Sequence, residues 1–328
     1  MKSPYTGKEM KVVKEWRDMT FRKEKFPAMF HFYLCDESGE QFEDEHFSTL
    51  NYNQVVNQYR VRHHVPFPEQ ILEIRQKYNL SAARISEILG MGANSWRNYE
   101  DGEVPSRTNA NLIQMISKPE SFEEYLKNYS GLEEKECDKI LKPVQKLKTD
   151  SCLCNDPLHR FYTQTDITTG FKAFNREKTK KVILFFAERQ SPYKTKMNKL
   201  LFYTDFVHFR NMAQSITGLK YAAIPRGPVP NHFEYLFEAF VEEGIICKET
   251  TMTTYGEVEQ ILPSGKEHFD PSFFSASELE ALDYVANTFK NTSASEIAEI
   301  SHREPAWKDN IVGKSIISFS YAFGLESV

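Results

Sequence analysis

Long apolar runs are missing from this sequence. No stretch of its 328 residues approaches the roughly 20 consecutive apolar positions that span a bilayer. The opening MKSPYTGKEM carries no basic region leading into an apolar core and a small-residue cleavage site, so a cytoplasmic protein is expected. Cysteine is scarce as well: five, an odd number scattered along a long chain, exclude a disulfide framework and agree with a reducing compartment. Neither sign of charge dominates, since a formal net charge of −5 allows a small basic face within an acidic whole. Any claim of nucleic-acid binding must therefore rest on a motif. Internal repeats and low-complexity tracts are absent too, which excludes solenoids and disordered arrays.

What is present changes texture along the chain. Residues 1–65 are aromatic and short-patterned, and in MFHFYLC the alternation of Phe30, Phe32 and Leu34 against His31, Tyr33 and Cys35 is that of a half-buried strand. Residues 66–130 turn helical, with apolar positions at Ile71, Ile74, Ile85, Ile88, Leu89, Leu112, Ile113 and Ile116. A charged connector at 131–165 has no sustained period and reads as a linker with one short helix. Residues 166–328 form a second large unit dense in Phe and Tyr. The expected class is α+β, mostly α: a small ribbon-like β module, a helical domain, and an α-rich C-terminal domain.

The stretch LSAARISEILGMGANSWRNYEDGEVPS carries the sharpest motif. Ser81 is placed to cap a helix ending near Leu89, Gly90 falls at the turn, and a second helix runs from about Ala93 to Glu100. Two helices that cross closely need a small residue four positions before the turn glycine and an apolar one six after it. Ser86 and Trp96 meet both demands, so a helix-turn-helix is favoured over a plain helical hairpin. Asn94, Ser95, Arg97 and Asn98 are the candidate base readers, because Asn pairs bidentately with adenine and Arg with guanine. Arg107, Arg84, Arg60, Arg62, His63 and His64 are candidates for phosphate contacts, each set against an ordinary solvated face.

The turns SPYTG and CDESG have the spacing of two halves of a zinc ribbon, with positions 3, 6, 35 and 38 as ligands. Only Cys35 is a thiol there. Serine and threonine hydroxyls do not replace thiolates, so no metal and no cofactor is expected, and two unrelated turns remain the plainer alternative. Cys152, Cys154, His159 and Cys137 make a weak metal set, because C-x-C is a tight spacing for structural zinc.

The ribbon-like arrangement followed by YRVRHHVPFPEQILEIRQKYNLSAARISEILGMGANSWRNYEDG resembles the MqsA-type antitoxins, in which a zinc-ribbon domain precedes a helix-turn-helix. The resemblance covers roughly residues 1–130 and implies base reading by Asn94 and Asn98. That family usually has arginine at the second position, and it has the zinc ligands missing here. The segment TKMNKLLFYTDFVHFRNMAQSITGLKYAAIPRGPVPNHFEYLFEAF resembles the Panacea, or SocA-type, antitoxin domain. Three blocks carry it: Lys199 to Asp205, then Gly218 and Tyr221, then Pro225, Gly227, Pro228 and Val229. The resemblance implies an antitoxin that binds a cognate protein toxin, for which Tyr203, Asp205, Arg226, Gly227 and Pro228 are the candidate contacts.

Asp205 and His208 lie three apart on one helical face, but with no nucleophile at a telling spacing no catalytic site is expected. The resulting expectation is a non-enzymatic antitoxin that binds its toxin and, through double-stranded DNA, its own promoter. Operators are commonly palindromic, so a homodimer is the expected form on DNA. A proteolytic adaptor and a stand-alone transcriptional regulator are the alternatives. The C-terminal unit, from about Thr165, is expected to fold alone.

Overall fold

A computed structural model describes residues 1–129, 131, 134–150, 157–253 and 256–328. The described chain is mostly helical with three small antiparallel sheets, an α+β architecture. It divides into two compact units, one made of residues 1–55 and 157–328 and the other of residues 56–156. The second unit is thus inserted in sequence within the first, and the boundaries cut across a simple end-to-end reading of the sequence.

The chain opens with the hairpin β1 (Lys11–Phe21) and β2 (Glu24–Leu34), joined through a short β3 (Gln41–Phe42) in the order β1-β2-β3. The expected alternation at Phe30 to Leu34 is the C-terminal part of β2. Its two-residue turn, Arg22 and Lys23, holds both residues at positive φ, +47° and +68°. That is the twist a hairpin requires, adopted here without the usual Asn or Gly.

A long helix, α1 (Glu45–Arg62), follows. Sequence patterning hides it because its packed face is partly polar, with Asn51, Gln54 and Arg60 buried among Leu50, Val55 and Val56. Asn51 and Gln54 are buried, and their amides pair with the backbone of β2: Asn51 with His31 at 2.9 Å both ways, Gln54 with Met29 at 2.8 and 2.9 Å. These side chains supply the hydrogen bonds that a further strand would have made, which satisfies one edge of β2.

The inserted unit contains α2 (Pro68–Lys77), α3 (Ala82–Ile88), α4 (Ser95–Glu100), α5 (Arg107–Ile116), α6 (Pro119–Asn128) and α7 (Glu134–Asp150). One apolar cluster unites them, from Ile71, Tyr78, Ile85, Ile88 and Trp96 to Ile113, Ile116, Phe122 and Leu126. Ile140 and Val144 of α7 belong to the same cluster. The charged connector is therefore less of a linker than its composition suggests, for its helix is 17 residues long and packs its few apolar residues into this core.

The chain then returns to the first unit with α8 (Arg176–Gln190), α9 (Lys194–Met212), the hairpin β4 (Tyr221–Ile224) and β5 (Gly227–Pro230), and α10 (Phe233–Glu242). A second hairpin, β6 (Ile246–Thr253) with β7 (Gly256–Pro263), precedes α11 (Ala276–Thr288), α12 (Ala294–Arg303) and α13 (Pro305–Lys308). Every residue of α9 from Lys196 to Phe209 is buried, as expected of a helix enclosed on all sides. Phe202 packs tilted on Phe206 at 4.2 Å between centroids, and Phe206 stacks on Phe319 at 4.3 Å.

The N-terminal module shares this unit. His31 packs on Phe323 at 5.4 Å, and the Asn53 amide donates to the Met212 carbonyl at 3.5 Å. The basic stretch opening α8 faces inward rather than outward: Lys178 pairs with Glu278, and Lys180 and Lys181 with Glu267.

Candidate functional site

In the inserted unit, local chemistry places α4. The Ser81 hydroxyl accepts from the Arg84 N–H at 3.2 Å and starts α3, and Gly90 turns the chain at φ +64°. Ser86 is fully buried, and its Oγ accepts from the Trp96 N–H at 3.1 Å. The small residue therefore both permits the close crossing and tethers the start of α4. Arg75 of α2 holds the other end, with Nε and Nη2 on the two oxygens of Glu100 at 2.6 and 3.0 Å, and the Trp96 indole joins Glu100 at 2.8 Å. Bidentate pairing of this kind fixes direction as well as distance.

On this anchored helix the candidate readers face outward. Asn94, Arg97 and Asn98 are exposed and Ser95 is half-buried. Asn94 sits at the N-cap position without using its side chain as a cap. Arg107, at the first turn of α5, is exposed as well.

Two of the phosphate candidates have other work. Arg60 is buried, and its guanidinium donates to the carbonyls of Pro66, Gly102 and Glu103, the last two at 3.0 and 3.2 Å. Arg84 pairs with Glu87 at 2.6 Å and with Glu136 at 3.0 Å.

In the first unit, the polar residues of α9 point the opposite way. Lys199 is fully buried, donates to the Pro228 carbonyl at 2.9 Å, and is lowered by burial to a pKa of about 7. Tyr203, also fully buried, donates to Glu304 at 3.2 Å, and Glu304 in turn accepts from the backbone N–H groups of Glu326 and Ser327. Asp205 accepts from the N–H groups of Ile216 and Thr217 at 2.8 and 2.9 Å, from the Tyr221 hydroxyl at 2.7 Å, and from the Thr217 hydroxyl. Burial raises its carboxyl above the ordinary range, against the pull of the Thr217 and Tyr221 hydrogen bonds. Each of these three side chains ties α9 to a different segment.

Gly227 is buried at φ +95°, and a Cβ there would come within 2.6 Å of the Lys199 Cε. Pro228 is buried beside it. Of the five candidate toxin contacts, Tyr203, Asp205, Gly227 and Pro228 form the support, and Arg226 alone is exposed, on the turn next to exposed Pro225. His208 bonds the Gln214 carbonyl at 2.6 Å and Ser277 at 3.2 Å, and burial lowers it to about 4. It makes no pair with Asp205, and sequence spacing alone suggested one.

At the N-terminus the two ribbon-like turns meet. Thr6 Oγ1 lies 3.5 Å from Cys35 Sγ, and hydrogen bonds from Ser38, then Thr6 and Ser3, lower the Cys35 thiol to about 6. One thiol and three hydroxyls do not fit the four-ligand chemistry of a structural zinc. Cys152 and Cys154 lie outside the described residues.

Residues 1–127 match the family model of MqsA, the antitoxin component of bacterial toxin-antitoxin systems, and residues 197–308 match that of the antitoxin SocA-like, Panacea domain. Models of two antitoxin families thus match separate parts of this one chain. No curated protein is matched by the chain. The three tying residues of α9 and the β4–β5 turn all fall within the Panacea match, whereas α4 and the Ser3, Thr6, Cys35 and Ser38 cluster fall within the MqsA match. Together the two matches support an antitoxin role in a toxin-antitoxin system. No helix among the described residues is long and apolar enough to cross a membrane.

Proposed function

We propose that the chain is an antitoxin that neutralises a cognate protein toxin by direct binding through its Panacea unit and represses its own operon through α4, acting in the cytoplasm. The two family matches carry this reading. The division of labour draws support from the side chains themselves. On α4, Asn94, Arg97 and Asn98 are exposed on a helix clamped at both ends, which suits major-groove reading. On the Panacea unit, the exposed Pro225 and Arg226 ride on a turn held from below by Lys199, a rigid projection suited to a protein partner.

The test uses the full chain with any small reading frame encoded beside its gene. Co-expression is expected to rescue growth, a stable complex of the two proteins is expected on purification, and the chain is expected to protect its own promoter from nuclease. Rescue accompanied by disappearance of the partner would point to a proteolytic adaptor instead. Promoter protection without any partner would leave a stand-alone regulator.

A further inference from the structure

The sheet of the first unit treats its two sides differently. On β2, the amides of Asn51 and Gln54 cover the N–H and C=O groups of His31 and Met29. Because those groups point away from β1, their register partners Lys14 and Trp16 are non-hydrogen-bonded pairs with β2, and direct their own N–H and C=O to the outer side of β1. By alternation Val12, Asp18 and Thr20 do the same. Among the described residues no strand pairs with that side. The edge is also exposed: Trp16 is 56% and Val12 50% accessible, and Lys14, Glu15 and Asp18 are exposed too.

The residues along this edge read Lys14, Glu15, Trp16, Arg17, Asp18, a sequence of charges that is its own complement when reversed. We propose that β1 pairs antiparallel with β1 of a second copy of this chain, about a two-fold axis at Trp16. In that register Lys14 meets Asp18 of the other copy, Glu15 meets Arg17, Val12 meets Thr20, and the two Trp16 side chains face each other. Opposite residues in such a pair are close enough for their side chains to interact. The outward-pointing residues are all even-numbered, so a symmetric hydrogen-bonded pairing must be centred on Trp16 or displaced by whole steps along the strand. One step either way sets Glu15 against Glu15 or Arg17 against Arg17. Two steps set Lys14 against Lys14 or Asp18 against Asp18. Within two steps only the Trp16 register is free of a like-charge pair on the axis, and centres at Val13 or Met19, three steps away, would pair only five residues of each strand, so the sequence favours one symmetric alignment.

The charges within one chain also fit this arrangement. Glu15 already holds Arg17 of its own strand, and pairing two copies closes the four into a ring of alternating sign. Lys14 has no acidic partner among the described residues, and its pKa is lowered first by partial burial and then by nearby Arg210. Asp18 of the second copy supplies the missing anion. An edge protected against association would carry one sign of charge along its length, and this edge carries both in self-matching order.

The proposal concerns association of the free protein and stands apart from the antitoxin reading, since its test needs neither DNA nor toxin. Light scattering on the full chain at micromolar concentration is expected to give a dimer. Lys14→Asp and Asp18→Lys each set like charges together and are expected to raise the dimer dissociation constant at least tenfold. Mixed in equal amounts, the two variants are expected to form a heterodimer, because each supplies the charge the other lacks. The double variant K14D/D18K is expected to dimerise as the wild type does. Association on mixing also shows that the single variants are folded. A monomeric wild type, single variants that associate as tightly as the wild type, or a mixture that stays monomeric would each overturn the proposal.

Discussion

The helices α4 and α9 carry similar polar residues and use them in opposite directions. On α4, Asn94, Arg97 and Asn98 point to solvent while the helix is held by Ser86 and Arg75 from neighbouring elements. On α9, Lys199, Tyr203 and Asp205 are themselves the holding groups, each fully buried and bonded to another segment. A polar residue in a family motif is thus no guide to a binding surface until its burial is known. The first helix spends its polarity on what lies outside the protein, and the second on the protein itself.

Substitutions on the two helices should separate these uses. The largest effect is expected for Asp205→Ala, which leaves two backbone N–H groups and the hydroxyls of Thr217 and Tyr221 without their acceptor. At ~1–3 kcal/mol for a buried donor left unpaired, the first unit should lose about 3–5 kcal/mol in chemical denaturation. A loss below ~1 kcal/mol would mean that Asp205 is a surface contact after all.

Next comes Gly227→Leu, which combines a side chain at positive φ with a Cβ too near Lys199. It should cost about 2–4 kcal/mol and abolish toxin rescue through the turn's distortion. Arg226→Ala, one residue away and exposed, should leave stability within about 0.5 kcal/mol of wild type while still weakening rescue. Equal effects of the two on stability would erase the distinction between support and surface.

On α4, Asn94→Ala should weaken promoter binding by ~1–3 kcal/mol and relax preference at one base per half-site, with denaturation unchanged. A stability loss without a change in base preference would move α4 to the inward-facing kind.

A separate effect is expected with pH. His208 and His31 are both lowered to about 4 by burial from an ordinary 6.5, so between these values the unfolded chain binds more protons than the folded one. Stability of the first unit is expected to be full above pH 6.5 and to decline as the pH falls toward 4. His208→Gln should flatten that slope in a denaturation series, and an unchanged slope would show that His208 contributes nothing to it.

Sequence reading succeeded where one residue type has one use. Ser81 before an apolar run, Gly90 at positive φ and Ser86 at the crossing have few alternatives, so α3, its turn and α4 were legible. So was the meeting of SPYTG with CDESG, because a ribbon fixes the spacing of its turns. It failed where polar residues take structural roles. Asn51 and Gln54 broke the apolar period of α1 because they serve the edge of β2. Arg60 looked like a phosphate contact and is a buried tie among carbonyls. Tyr203 lies in an apolar stripe at helical spacing, as a seam residue would, but the motif that also holds Asp205 records identity and not direction. The turn at Arg22 and Lys23 lacks the glycine or asparagine that would have announced it.

The split of the first unit around the inserted one sets an order of events during synthesis. Residues 1–55 leave the ribosome first and must wait for the segment from Pro157 to Val328 before His31 can meet Phe323 or Asn53 the Met212 carbonyl. At ~5–20 residues per second that wait lasts roughly 14–55 s, during which the inserted unit has everything it needs to fold. A nascent or prematurely ended chain would therefore present the inserted unit complete and the first unit unfinished. Translation that stalls after α7 would yield fragments in which α2 to α7 are folded and the partners of His31 and Asn53 are never made.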